Sequence, residues 1–218
     1  MPINNSSNFR EITMGKIPPG VLFRSNHPIH NKKQVRDIIV AANNSKIKTI
    51  INLCDSFQAL QSQVIYCPWY KKAFDGNNVI ALGLNMSFDP MERKFCRKMQ
   101  DAIDFMTEHE PPYLIHCVAG IDRTGFFSIL LESFMGAHID EMARDYMLSF
   151  VEKSEYSEND YTNGFRFLCN LFTKIKGGLI DPDEDLQLLI TKYLKERIKI
   201  DDNTLQVLTN KLENNIKD

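Results

Sequence analysis

Residues 116–125 read His-Cys-Val-Ala-Gly-Ile-Asp-Arg-Thr-Gly, combining one strong nucleophile with one guanidinium on a glycine-bearing turn. Five residues separate Cys117 from Arg123. That spacing lets the backbone curl so that the amides of Val118, Ala119, Gly120, Ile121, Asp122 and Arg123 converge on one anion. Arg123 can close the cradle with two parallel hydrogen bonds to phosphate oxygens. Cys117 then lies beneath the phosphorus, where amides, guanidinium and a helix N-terminus all favour thiolate over thiol.

A bare Cys-x5-Arg is common, so the flanking elements matter. Residues 113–115 (Tyr-Leu-Ile) are short, apolar and strand-like, and residues 126–131 are an apolar run fit to begin a buried helix. Strand, turn and helix N-terminus is the arrangement that anion binding requires. Further strands are expected at 21–24, 49–54, 63–67, 79–84 and 113–116. Helices are expected at 32–42, 90–107, 124–135, 139–146 and 161–174. The alternation predicts an α/β fold, a mostly parallel central sheet flanked by helices. The loop would leave the carboxyl end of a central strand, where such sheets place ligands. After Gly177-Gly178 two amphipathic segments, 183–198 and 203–212, predict a helical C-terminal extension. The expected division is a catalytic domain at 1–177 and a helical extension at 178–218 packed on it.

The whole chain narrows the function classes. At 218 residues it can bury one sizeable core. A formal net charge of −2 and a pI near 6.2 give no global footprint for nucleic acid or an anionic membrane. No apolar run is long enough to span a membrane, and the polar start at 1–10 does not read as a signal peptide. The five cysteines, at 54, 67, 96, 117 and 169, show no metal-binding spacing, and their odd number fits free thiols in a reducing, cytoplasmic setting. Export by an unread signal stays open.

The 116–125 segment resembles the active loop of the cysteine-dependent protein tyrosine phosphatase superfamily. Its Asp-Arg-Thr-Gly ending is similar to the bacterial tyrosine and lipid phosphatase branch with a His-Cys-x-x-Gly-Lys-Asp-Arg-Thr-Gly loop. Phe9-Arg10, Leu22-Phe23-Arg24-Ser25, Ile51-Asn52-Leu53, Leu84-Asn85-Met86-Ser87-Phe88-Asp89, Met135-Gly136-Ala137, Asp145-Tyr146-Met147 and Tyr193-Leu194 extend the likeness. The resemblance implies a phosphatase-like fold and a two-step phosphomonoesterase reaction without metal or cofactor. Cys117 would form a phosphocysteine, Arg123 and the loop amides would stabilise the equatorial oxygens, and Thr124 would ease the departure of sulfur. His116 would orient the loop. Asp122 belongs to the signature and is expected to face outward or to hold a neighbour.

The resemblance also implies an acid for the leaving oxygen, and Asp89 occupies its place upstream of the helix. Asp89-Pro90-Met91-Glu92 equally fits a helix start, with Asp89 as N-cap and Glu92 closing a capping box. Asp75 and Asp55 are the alternatives. At Ile121 the Lys of the branch is missing, which favours phosphotyrosine, with dual or broad specificity open, over phosphoinositides or inositol phosphates. The expected partner is a phosphorylated protein or peptide. A phosphoinositide is the second substrate class, and a pseudophosphatase that only binds phosphate is a third reading. Trp69, Tyr70, Phe74 and Phe88 are candidates for pocket walls or core, and Lys71-Lys72 for contacts to acidic substrates or a solvated pair. A related lipid phosphatase pairs a similarly placed Cys with its nucleophile, so Cys54 is a possible redox partner of Cys117 or simply a small buried thiol.

Overall fold

The computed structural model describes residues 7–30, 32–150 and 158–214. The first six residues of the polar start lie outside them.

Short apolar runs such as Thr49–Asn52 and Tyr113–His116 bury every residue, which suits parallel strands covered on both faces. They belong to a five-stranded sheet in the order β1-β2-β5-β3-β4. Its strands are β1 (Arg10–Ile12), β2 (Leu22–Ser25), β3 (Thr49–Asn52), β4 (Val79–Ala81) and β5 (Tyr113–His116). β2, β5, β3 and β4 run parallel, and β1 closes one edge antiparallel to β2. Ser25 and Asn52 are both in register with His116. The loop after β5 therefore emerges between the segments that follow β2 and β3.

The helices are α1 (Lys32–Asn44), α2 (Phe57–Gln63), α3 (Pro68–Asp75), α4 (Arg93–Glu108), α5 (Asp122–Phe134), α6 (Ile139–Met147), α7 (Glu158–Lys176), α8 (Leu186–Tyr193) and α9 (Asp202–Leu212). α5 is buried at every residue from Arg123 onward, as its unbroken apolar run demands. α4 is amphipathic and buries Phe95, Cys96, Met99, Ala102, Ile103 and Met106 at helical spacing. These contacts complete a mixed, mostly parallel sheet flanked by helices.

Several elements differ from the sequence expectation. Residues 63–67 form no strand: α2 runs into a 3-10 turn at Val64–Tyr66, and α3 begins at Pro68. Ser56 caps α2 and Pro68 opens α3, while Ile65 and Tyr66 project into solvent. Leu60 and Val64, four residues apart, take the buried side. The strand at 79–84 stops at Ala81, because Gly83 turns the chain with φ +56°. The N-cap of α4 is Glu92, three residues beyond Asp89. Asp89 instead closes a tight turn, accepting from the Met91 amide at 2.9 Å while its carbonyl accepts from Glu92 N–H.

The expected helix at 183–198 is α8, capped by Asp185, followed by a π-helical turn at Leu194–Ile198 that ends on Lys199 at φ +73°. Ile190, Tyr193, Leu194, Ile198, Leu205, Leu208 and Leu212 bury into the same cluster as Ile115 and Phe127.

Candidate active site

β5 delivers His116 and then Cys117, whose side chain is buried where the loop turns toward α5. Three neighbours hold the loop carbonyls outward. His27 N–H donates to Val118 at 3.0 Å, Asn8 Nδ2 to Ala119 at 3.2 Å and Arg24 Nη2 to Gly120 at 2.9 Å. Because trans peptides point N–H opposite to C=O, the amides of Ala119, Gly120 and Ile121 face the concave side. Only glycine fits at position 120, where φ is +69° and a Cβ would lie 2.5 Å from the Ser25 carbonyl oxygen.

Arg123 and Thr124 occupy the first turn of α5, both buried. Arg123 Nη1 donates to the Leu84 carbonyl at 2.8 Å, while its Nε has no partner among the described residues. The guanidinium is thus anchored on one side with donors to spare. Thr124 Oγ1 is likewise buried without a partner among the described residues. The result is a concave nest of amides, one positioned guanidinium and a thiol at its base.

A model of the tyrosine phosphatase family matches residues 1–214. The chain belongs to the tyrosine phosphatase family. None of the curated proteins compared with it matches. Membership makes this phosphatase a phosphoric monoester hydrolase acting on phosphorylated substrates.

Beneath the phosphatase loop runs a directed hydrogen-bond chain. His27 Nδ1 accepts from Ile29 N–H at 3.0 Å, so the proton sits on Nε2 and goes to Asp55 Oδ2 at 2.7 Å. Asn52 Nδ2 donates to Asp55 Oδ2 and to the Tyr70 hydroxyl. That hydroxyl is then left to donate to His116 Nε2 at 2.8 Å, and His116 Nδ1 faces the Cys117 carbonyl at 3.4 Å. Burial pushes the His116 imidazole well below its usual range and keeps it neutral. Burial tends to raise the Asp55 carboxyl, but the hydrogen bonds from His27 and Asn52 hold it down at about 2.

Two histidine clusters have potential metal-ligating atoms within 4.8 Å of one another: His27, Cys54 and His116, and His27, His30 and Asp55. The tautomers just derived occupy the ring nitrogens of His27 and the Nε2 of His116. As arranged, these clusters are a hydrogen-bond scaffold rather than a vacant ligand set.

The three acid candidates differ sharply. Asp75 ends α3 beside Asn78, whose carbonyl bonds Ile50 near the amino end of β3, and it pairs with Lys71 in solvent. It lies at the opposite end of the sheet from Cys117. Asp55 lies at the correct end but is ionised and locked. Asp89 follows Phe88, whose ring packs on Phe95 and on Phe126 of α5, within the segment that begins at the Arg123-bound Leu84. Its carboxylate is half exposed and held below its usual range by the Met91 amide and Lys174, 3.2 Å away.

Tyr70 is core and belongs to the His116 chain, Trp69 and Phe74 pack around it, and Phe88 packs on α5. Lys72 is solvent-exposed. Asp122 is exposed, and together with burial it pushes the Tyr146 hydroxyl up to about 12. Cys54 is a half-buried free thiol that donates to Asn52 Oδ1 at 3.3 Å; burial, and then Asp55 and Cys117, push it up.

Sequence reasoning missed the outer clamp. Arg24 and Arg10 both bind the buried Asp145 carboxylate, at 2.6 and 2.8 Å, and both reach Ser149 Oγ. The available signal was an arginine inside the apolar strand Leu22–Ser25, which demands a buried counter-charge.

Proposed function

We propose that the phosphatase hydrolyses phosphotyrosine in proteins or peptides through a phosphocysteine intermediate on Cys117. The observation that carries this reading is the loop itself: outward-clamped carbonyls leave amides facing inward above a buried thiol, beside an arginine fixed by Leu84. Cys117 sulfur attacks phosphorus, and the P–O bond to the leaving group breaks. Arg123 and the amides of Val118, Ala119, Gly120, Ile121 and Asp122 hold the three non-bridging oxygens. Thr124, buried beside the nucleophile's loop with its hydroxyl unengaged among the described residues, eases expulsion of sulfur when water attacks the thiophosphate. His116 acts as a positioning residue through the Cys117 carbonyl.

Asp89 is the proposed acid, after its carboxyl leaves Met91 and Lys174. In the present position both partners stabilise the ionised form; moving away removes those contacts and lets the carboxyl rise toward its ordinary range. The same group then takes the proton from the attacking water.

A phosphate monoester whose leaving group is an uncharged aromatic ring suits the exposed surroundings. Val118 is 49% exposed within the loop, Phe150 is 53% exposed beside Ser149, and Met86 is 60% exposed on the Leu84–Asp89 segment. With Ile121 where the resembled branch carries Lys, the loop itself adds no cation beyond Arg123. The five cysteines are free thiols, in keeping with a cytoplasmic setting. Cys54 stands as the proposed resolving thiol: oxidised Cys117 sulfenic acid would condense with it to a disulfide, releasing water.

Phosphate release from a phosphotyrosine peptide and a soluble phosphoinositide tests the reading. Cys117→Ser is expected to abolish release while the fold is retained. Asp89→Asn is expected to lower kcat by about a hundredfold or more. Near-normal turnover in Asp89→Asn would remove the acid role. Faster release from the phosphoinositide would reverse the substrate order.

A further inference from the structure

Away from the phosphate loop, positive charge is concentrated in a cavity of about 520 Å3 between the start of α4 and the π-helical turn of the tail. Arg93 and Arg97 sit four residues apart on α4, so both emerge on one helix face. Arg197 and Lys199 line the other side, and Glu196 is the one carboxylate in the lining. The chain as a whole carries 26 basic against 28 acidic side chains, so this excess is local.

The cations here also lack ion-pair partners among the described residues. Lys71, Lys174, Lys176, Lys195 and Lys211 each pair with a carboxylate. Among the described residues, Arg93, Arg97 and Lys199 make no ion pair or side-chain hydrogen bond. Arg197 spends one hydrogen bond on the Met91 carbonyl, at 2.6 Å, and keeps the rest of its fork. Holding four cations around one cavity is unfavourable unless water or an anion relieves the repulsion.

We propose that this cavity binds a small polyanion carrying two or more clustered phosphate groups. Three guanidiniums match phosphate oxygens bidentately, and the ammonium of Lys199 adds a point charge. The volume lies in the range of small-ligand sites. An acidic peptide fits less well, because the lining offers few apolar anchors beyond Ile198 and Cys96. The site is distinct from the Cys117 loop but continuous with the Asp89 turn. Arg197 holds Met91, and the Tyr193 hydroxyl, one turn earlier, holds the Pro90 carbonyl at 2.5 Å.

The clustered phosphates can belong to a soluble polyphosphate or to a lipid headgroup, and two probes separate these sources. Tripolyphosphate is titrated calorimetrically into the full chain carrying Arg123→Ala, which silences the phosphate loop. Cosedimentation uses phosphatidylcholine vesicles with and without phosphatidylinositol bisphosphate. One site is expected for tripolyphosphate, with affinity falling roughly a hundredfold when Arg93→Glu and Arg97→Glu are added. Binding confined to the bisphosphate vesicles, and lost in the same variant, assigns the site to a headgroup. No binding of either probe at low salt overturns the proposal, and so does binding that ignores the two charge reversals. If Arg123→Ala does not fold, the wild-type chain is compared directly with Arg93→Glu/Arg97→Glu, and tripolyphosphate stoichiometry must fall from two to one.

Discussion

Glu132 lies on α5, fully buried, with both carboxyl oxygens lacking a hydrogen-bond partner among the described residues. Burial, reinforced by Asp145, pushes its carboxyl well above the usual carboxylate range, although Arg24 and Arg10 pull the other way. Asp145 is the opposite case: burial also opposes its ionisation, but two arginines on its oxygens hold it lowered. The cluster thus keeps one carboxylate charged and one neutral. For a carboxyl raised on folding, the folded state holds the proton that the unfolded chain releases near pH 4.5, so stability falls as pH rises above that value. Glu132→Gln removes this loss. Its stability in urea at pH 7 should equal or exceed wild type, with a flatter dependence on pH above about 4.5. A clear loss of stability at pH 7 would mean instead that Glu132 is ionised and shares the arginines.

Among the elements, the loop is held by different means from its two sides. The His27–Asp55–Asn52–Tyr70–His116 chain joins the segments after β2 and β3 to α3 and the end of β5, while β1, β2 and α6 meet at Arg10, Arg24 and Asp145. Asp145→Ala leaves a fully buried Arg24 facing Arg10 without its carboxylate, which should cost about 3–5 kcal/mol of stability. Arg24→Met leaves Asp145 with Arg10 but withdraws the donor from the Gly120 carbonyl. Its expected signature is a raised KM for phosphate monoesters with less loss of stability, read by kinetics and urea unfolding together. Unchanged KM in Arg24→Met would show that Asn8 and His27 suffice to shape the loop.

This division also explains what the sequence could reveal. The loop, α5 and the parallel strands were legible because apolar runs and a six-residue chemical spacing are local signals. The clamp joins positions 121 residues apart, Arg24 to Asp145, and no local pattern encodes that pairing. Of the two roles open to Asp89 in the sequence, the α4 cap fails because its side-chain oxygen reaches only to the Met91 amide, and Glu92 takes the N-cap position. The strand expected at 63–67 failed because the Ser56 cap and Pro68 start short helices on either side of it, leaving 64–66 as a 3-10 turn that buries Val64 and exposes Ile65.

For the whole molecule, the position of the tail decides whether the phosphatase ends where its catalytic elements end. The expected boundary near Gly177 falls in an open turn, which by itself would suit a detachable extension. The burial pattern points elsewhere. Ile190, Tyr193, Leu194, Leu208 and Leu212 join the cluster that contains Phe126, Phe127 and Ile129 of α5. Gln187 Nε2 caps the Phe134 carbonyl at 2.9 Å, and Lys211 Nζ reaches the His109 carbonyl and Glu110 beyond the end of α4. α8 and α9 therefore cover faces of α5 and α4 that carry no polar substitute for water. A chain ending at Gly177 should be insoluble or should unfold without a cooperative urea transition. Within the full chain, Leu208→Ala should cost about 2–5 kcal/mol, the range for emptying a fully buried leucine site. A chain ending at Gly177 that unfolds cooperatively and releases phosphate at the full-length rate would make the tail an independent appendage. The polyanion cavity formed by α4 and the π-helical turn would then be separable from catalysis as well.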